Sequence, residues 1–290
     1  MAPITGIHGI AQQYKGGYQL GALWFDALRD GLTAAGYQSA AAALSPGDLR
    51  VAYFGDLFRP SGAMAGQEPP FSAADVQTGL ERDMVTELYH AAVAQNPSLG
   101  PPAGSMGSGK LSVQVMLERL LRSRTFAKVA QRVFIGNLKQ VTSFLTDLSV
   151  KDLVLARVHE QVGEDTGVLI GHSLGSVVAY EYVCRYRPSS MKLLVTLGSP
   201  LGIPKLVFDR LTPVPADGYG VWPGTVASWV NVADPDDIVA LRKRLAGLFP
   251  GPSPSNAVDD RLVDNGDQPH AIERYLNARQ TGSALGDVLG

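Results

Sequence analysis

Cysteine is almost absent. Cys184 stands alone among 290 residues, which excludes a disulfide framework and any zinc site built on thiolates. An excess of charge of one sign is lacking too. With 25 basic and 27 acidic residues the formal net charge is −2, so the chain has no cation surplus for a phosphate backbone and no nucleic-acid partner is expected. No run of about 18 apolar residues occurs, so no segment reads as a membrane span. From Met1 to Ile10 there is neither a basic n-region nor an adequate apolar stretch; a secretory signal is therefore not expected, and a cytoplasmic protein is. What the chain does have is apolar content: 45% of residues, enough for a sizeable core and too much for disorder.

Periodicity organises that content. Ile4–Ile10 reads as a short strand entering a glycine turn. Residues 21–36 carry Leu23, Trp24, Ala27, Leu28 and Leu32 at helical spacing, with Gly36 as a stop, and Leu49–Phe54 reads as a second strand. Strand, helix, strand within fifty residues suggests a βαβ unit and a parallel sheet. Glycine and proline then crowd 58–71 and 97–109. Between them a helix is expected to start at the capping-box pattern Ser72–Asp75 and to run through Val76, Leu80, Met84 and Leu88. Residues 111–162 are almost all helix-compatible, without proline, and must break at least once, at Gly136 or near Ser149. Strands resume at 166–171, 192–197, 226–232 and 257–263. The division expected is a core segment 1–55, a helical cap insertion 56–150 and a second core segment 151–290, in an α/β fold with a mostly parallel sheet.

Gly171-His-Ser-Leu-Gly175 fits G-x-S-x-G. The pentapeptide alone is weak, but its setting is specific: an apolar strand (Val168, Leu169, Ile170) enters it and a helix (from Ser176) leaves it. A strand-to-helix turn this sharp needs glycine at both outer positions, Gly171 and Gly175. It lifts Ser173 Oγ above the sheet and frees the Leu174 N–H at a helix N-terminus. On these residues the chain resembles the α/β-hydrolase superfamily, particularly its bacterial lipase- and esterase-like members. The resemblance covers about 1–55 and 160–280 and leaves the insertion unmatched.

The resemblance implies a triad in the order Ser, Asp or Glu, His. Of five histidines only His270 follows Ser173, in a loop after the last expected strand. The acid is expected in Ala233-Asp-Pro-Asp-Asp-Ile-Val239; Asp237-Ile-Val matches the family's loop best, with Asp234 as the alternative. The second oxyanion donor is expected from His8-Gly9-Ile10-Ala11, where Gly9 bends the turn and the Ile10 amide is favoured, with Gly9 and Ala11 as neighbours in contention. His8 and His172 are expected to brace turns rather than titrate. Gly198-Ser-Pro-Leu-Gly202 is expected beside the nucleophile. Because the sequence opens at the oxyanion strand, the family's first two strands are expected to be missing, leaving a sheet of about six.

The activity implied is hydrolysis of an ester or thioester through an acyl-enzyme on Ser173, with no metal and no organic cofactor. The partner would be a small-molecule or carrier-bound acyl substrate. An acyltransferase or cyclising thioesterase would use the same acyl-enzyme, and a non-catalytic binding scaffold would use none of it. Two other signals are weaker. Residues 104–112 imitate a phosphate-binding loop, but Leu111 stands where Ser or Thr must hold magnesium. Residues 110–140 carry seven basic residues against Glu118, which fits a cap helix with a solvated face and, as a second reading, peripheral contact with an anionic surface. Cys184, spaced with Val177 and Tyr180, reads as a packed thiol. Nothing in the sequence specifies an oligomeric state.

Overall fold

A computed structural model describes residues 4–59, 70–101, 111–127, 129–224, 226–253 and 256–289. The chain begins with β1 (Ile4–Ile7), α1 (Gly17–Ala34), α2 (Gln38–Ala43) and β2 (Leu49–Ala52). Helices α3 (Leu80–Gln95), α4 (Val113–Leu120), α5 (Gln131–Thr146) and α6 (Leu148–His159) follow before the sheet resumes. The rest alternates: β3 (Val168–His172), α7 (Leu174–Tyr186), β4 (Leu193–Leu197), β5 (Ser228–Ala233), β6 (Asp259–Leu262), α8 (Ile272–Leu276) and α9 (Arg279–Leu289).

All strand pairings in the six-stranded sheet are parallel, in the order β2-β1-β3-β4-β5-β6. The protein is an α/β fold. Its inner strands, VLIGH and LLVTL, are buried along their whole length, as parallel strands covered on both faces must be. Strand alternation divides their side chains between two cores. Val168 and Ile170 pack with Trp24, Leu28 and Leu32 of α1 and Leu285 of α9, whereas Leu169 packs with Val178 of α7 and the inserted helices. Each large side chain so removed from water contributes about 1.5–3 kcal/mol. The edge strand β6 reads DDRL, and its charges keep that edge from recruiting another strand.

The chain leaves β1 toward β2 on one side and returns at β3 on the other. The C-terminal ends of β1 and β3 thus flank a topological switch point, where open α/β sheets leave a crevice. The long connection from β2 to β3 carries α3 and α5 over that end, and its last helix, α6, packs beside α7.

Several element boundaries differ from expectation. Ser72 and Asp75 form the reciprocal capping box, but it caps a short 3-10 turn; α3 starts only after Gly79, whose φ of +88° interrupts the backbone. Gly136 lies inside α5 rather than breaking it. The breaks in 111–162 fall at 121–130 and at Asp147, whose carboxylate caps α6 by accepting from the Ser149 and Val150 amides. Core packing of Phe134, Ile135 and Leu138 outweighs the low helix propensity of Gly136, and the Asp147 cap sets the break instead. Most of the phosphate-loop look-alike, 104–110, lies outside the described residues, as do Lys110 and Lys128; Ser112 caps α4 through the Val115 amide. Among the described residues no helix is long and apolar enough to cross a membrane.

Candidate active site

Ser173 stands at the junction of β3 and α7 with φ 54° and ψ −127°, a left-handed backbone that side chains avoid unless surroundings impose it. The imposition comes from close packing of the turn. A Cβ on Gly171 would lie 2.5 Å from the Gly175 carbonyl oxygen, and one on Gly175 would lie 2.1 Å from the Ile7 carbonyl oxygen. Only glycine fits either place. Gly9 is held equally tightly: a Cβ there would lie 2.8 Å from Ser173 Cβ, so the turn after β1 presses directly on the serine.

Three loops at the C-terminal ends of strands converge on the hydroxyl. Ser173 Oγ lies 3.0 Å from His270 Nε2, and His270 Nδ1 lies 2.7 Å from Asp237 Oδ2. Asp237 is wholly buried, while the imidazole keeps about a fifth of its surface exposed. Burial alone would raise the Asp237 carboxyl, but the His270 charge and hydrogen bond, the Tyr275 hydroxyl and the Lys243 ammonium together hold it below its ordinary value. Its Oδ1 accepts from the Val239 amide at 2.9 Å and its Oδ2 also accepts from Tyr275 Oη at 2.8 Å. Lys243 Nζ donates to the Asp237 carbonyl.

Asp234 is not brought to the imidazole. Its Oδ1 accepts from the Asp236 amide at 2.7 Å and its Oδ2 from the Asn265 amide, and Asn265 Nδ2 donates to the Pro269 carbonyl at 3.1 Å. Asp234 therefore ties the acid loop to the loop that presents His270. Burial pushes its carboxyl up, opposite to Asp237 three residues on.

The two remaining histidines of the site are neutral braces. The Phe54 amide donates to His8 Nε2 at 3.1 Å, which leaves Nδ1 as the protonated nitrogen, donating to the Gly9 carbonyl at 2.6 Å. Burial lowers His8 to about 4. His172 is lowered to about 3, by burial and then by the His270 charge; its Nε2 contacts the His270 carbonyl at 3.1 Å and its ring lies 4.8 Å from the His270 ring. Ser199, in Gly198–Gly202, bonds Ser176 Oγ at 2.7 Å, which fastens that stretch to the serine turn. Tyr275 escaped sequence reasoning. Besides donating to Asp237 it accepts from the Asp234 amide at 3.0 Å, so one buried phenol spans both aspartates. Its only sequence signal is an aromatic within the helix that follows His270.

Ser173 and His270 open into a cavity of about 690 Å³. Its wall is largely apolar, with Leu88 from α3, Phe134 and Leu138 from α5, Val177 from α7 and Ile203 and Leu206 after β4. Ile10 and Leu174 also line it, and among the described residues neither backbone N–H is taken by an acceptor. The 121–127 segment lies across the acid and base loops: Arg124 pairs with Asp236 and donates to the Gly266 carbonyl at 2.7 Å. Several basic residues of 110–140 are thus engaged internally, since Arg119 reaches Tyr89 Oη at 3.3 Å and Lys139 pairs with buried Glu81 at 3.2 Å. Cys184 is partly buried beside Tyr180, and burial pushes its thiol up to about 12. Comparison of the chain with protein-family models, with curated proteins and with solved structures found no match.

Proposed function

We propose that the protein is a serine hydrolase that cleaves an ester or thioester through an acyl-enzyme on Ser173, as its resemblance to the α/β-hydrolase superfamily implies. One observation carries the reading: the unbroken relay from Ser173 Oγ through His270 to Asp237, at 3.0 and 2.7 Å, beside a large apolar cavity. A buried carboxylate at Nδ1 fixes the imidazole with its free Nε2 toward the hydroxyl. That tautomer is the one able to accept the serine proton.

In the proposed reaction Ser173 Oγ attacks the acyl carbon while its proton passes to His270 Nε2. The oxygen that becomes negative is held by the amides of Leu174 and Ile10, each worth about 3–4 kcal/mol in such a role. The leaving group departs with the proton from His270. Water then gives a proton to His270 Nε2 as its oxygen attacks the acyl carbon, and release of the acid returns that proton to Ser173. Asp237 stabilises the imidazolium in both halves.

The test is direct. A fluorophosphonate should label the folded protein at Ser173, and p-nitrophenyl esters should be turned over; Ser173→Ala should abolish labelling and lower kcat by about six orders of magnitude. Labelling elsewhere, or turnover that survives Ser173→Ala, rejects the reading.

A further inference from the structure

A chain of buried polar side chains runs from the middle of the sheet toward the acid loop. Trp229 Nε1 donates to Thr196 Oγ1 at 3.0 Å, and Thr196 Oγ1 donates to Asn231 Oδ1 at 3.0 Å. Asn231 Nδ2 donates in turn to the Lys243 carbonyl at 3.0 Å and to Asp260 Oδ1 at 2.9 Å. The Asp260 carboxylate also accepts from the Leu245 and Ala246 amides, at 2.8 and 2.9 Å. Thr196 and Asn231 are buried between β4 and β5, where valine would avoid the cost of desolvating a polar group. Their mutual pairing offsets that cost, and what it secures is the main chain from Lys243 to Ala246.

From that anchorage the half-buried side chain of Lys243 turns back to the acid loop, where its Nζ donates to the Asp237 carbonyl. Its charge bears on Asp237, Asp234 and Asp236 together. Arg124 also reaches this loop, but its pair with Asp236 lies at the surface, with the two side chains 59% and 45% exposed, where water screens it. Arg242 and Arg244, on either side of Lys243, are exposed.

A carboxylate-rich loop beside an imidazole favours a proton on the His270–Asp237 pair, and a protonated pair cannot take the serine's proton. A cation held against the acid opposes that. The other groups around the pair do not replace it. His172 from β3 and His8 from the turn after β1 are kept neutral by burial, which also keeps the Tyr275 phenol of α8 uncharged. The cavity wall adds Lys15 together with the acids Glu87, Asp267 and Glu273, and Arg274 pairs with Asp267 at 3.8 Å.

We propose that Lys243 is a positioning residue of the triad: it ties the main chain of the acid to the polar network of the sheet and holds a positive charge against Asp237, which extends to lower pH the range over which the His270–Asp237 pair accepts a proton from Ser173. The inference rests on the proposed hydrolase reading for the use of that pair as a base.

The experiment follows the rate at which a fluorophosphonate labels Ser173 as a function of pH, a reaction that needs the base unprotonated and requires no particular substrate. The acid limb of that profile should lie about half a pH unit higher in Lys243→Met and in Lys243→Gln than in wild type, about a threefold loss of rate at any pH on the limb. Lys243→Gln keeps an N–H without the charge, so a purely structural bond would leave its limb in place. Lys243→Arg, which keeps both, should match wild type, and Arg124→Met should move the limb less than Lys243→Met. The inference is overturned if the limb stays put in the neutral variants, if Lys243→Arg or Arg124→Met moves it as far as Lys243→Met, or if both neutral variants fail to fold by circular dichroism, which would make the lysine structural. Wild-type protein left unlabelled at Ser173 rejects the hydrolase reading and this inference with it; labelled wild type with an unmoved limb in the variants rejects the role of Lys243 alone.

Discussion

Three aspartates lie within four residues of the acid loop and have different partners, which makes Asp237→Asn against Asp234→Asn the sharpest test of the proposed mechanism. Asp237 Oδ2 accepts from both His270 Nδ1 and Tyr275 Oη. Because Oδ1 accepts from the Val239 amide, an asparagine keeps its oxygen there and places its NH2 at the Oδ2 position, with an N–H toward His270 Nδ1. The imidazole must then carry its proton on Nε2, facing Ser173 Oγ, and can no longer take the serine's proton. The expected loss is about four orders of magnitude in kcat, or about 5.5 kcal/mol of barrier. Asp234 instead accepts two backbone amides, from Asp236 and Asn265. Asp234→Asn keeps one acceptor and forfeits a charge-assisted bond, so it should cost about 1.5–3 kcal/mol of stability and less than about tenfold in kcat. The assay is hydrolysis of p-nitrophenyl butyrate by both variants, with Tm read in parallel. If Asp237→Asn works within tenfold of wild type, or Asp234→Asn is the more damaging to kcat, the assignment of the acid is wrong.

Other consequences follow from buried polar groups. His8 and His172 have folded pKa values of about 4 and about 3 against 6.5 when free, so below pH 6.5 the unfolded chain binds more protons and stability falls as pH drops. The two together should remove about 4 kcal/mol between pH 7 and pH 5 in urea unfolding, and His172→Asn should halve that loss; an unchanged loss rejects the neutral-brace role. Tyr275→Phe removes the shared phenol, strands the buried Asp234 amide and should cost about 1–3 kcal/mol in unfolding measurements together with about tenfold in kcat. Lys151 and Glu181 form a buried pair at 2.8 Å between α6 and α7, where burial pushes the Glu181 carboxyl up. Lys151→Met should therefore destabilise by about 3–5 kcal/mol in thermal unfolding, and adding Glu181→Leu should restore most of it.

The sequence by itself determined what depends on neighbours along the chain. A strand of Val168, Leu169 and Ile170, a serine between glycines four apart and a helix after them define the serine turn, because its demands are steric and local. His270 was named through the resemblance, whose order puts the histidine after the serine, and it is the only histidine that follows Ser173. Local reasoning decided less where several residues met the same local rule. Asp234, Asp236 and Asp237 all satisfy the chemistry of an acid; only the resemblance of Asp237-Ile-Val to the family's loop favoured one of them, and packing is what sets Asp237 against His270 and Tyr275. Gly136 looked like a helix break, yet the partners α5 finds in the core kept it whole and Asp147 capped the next helix instead. The cavity and the clasp of Arg124 on the acid and base loops join residues tens to more than a hundred positions apart. Such contacts exist only once the helices between β2 and β3 have folded over the sheet, so no window of sequence contains them.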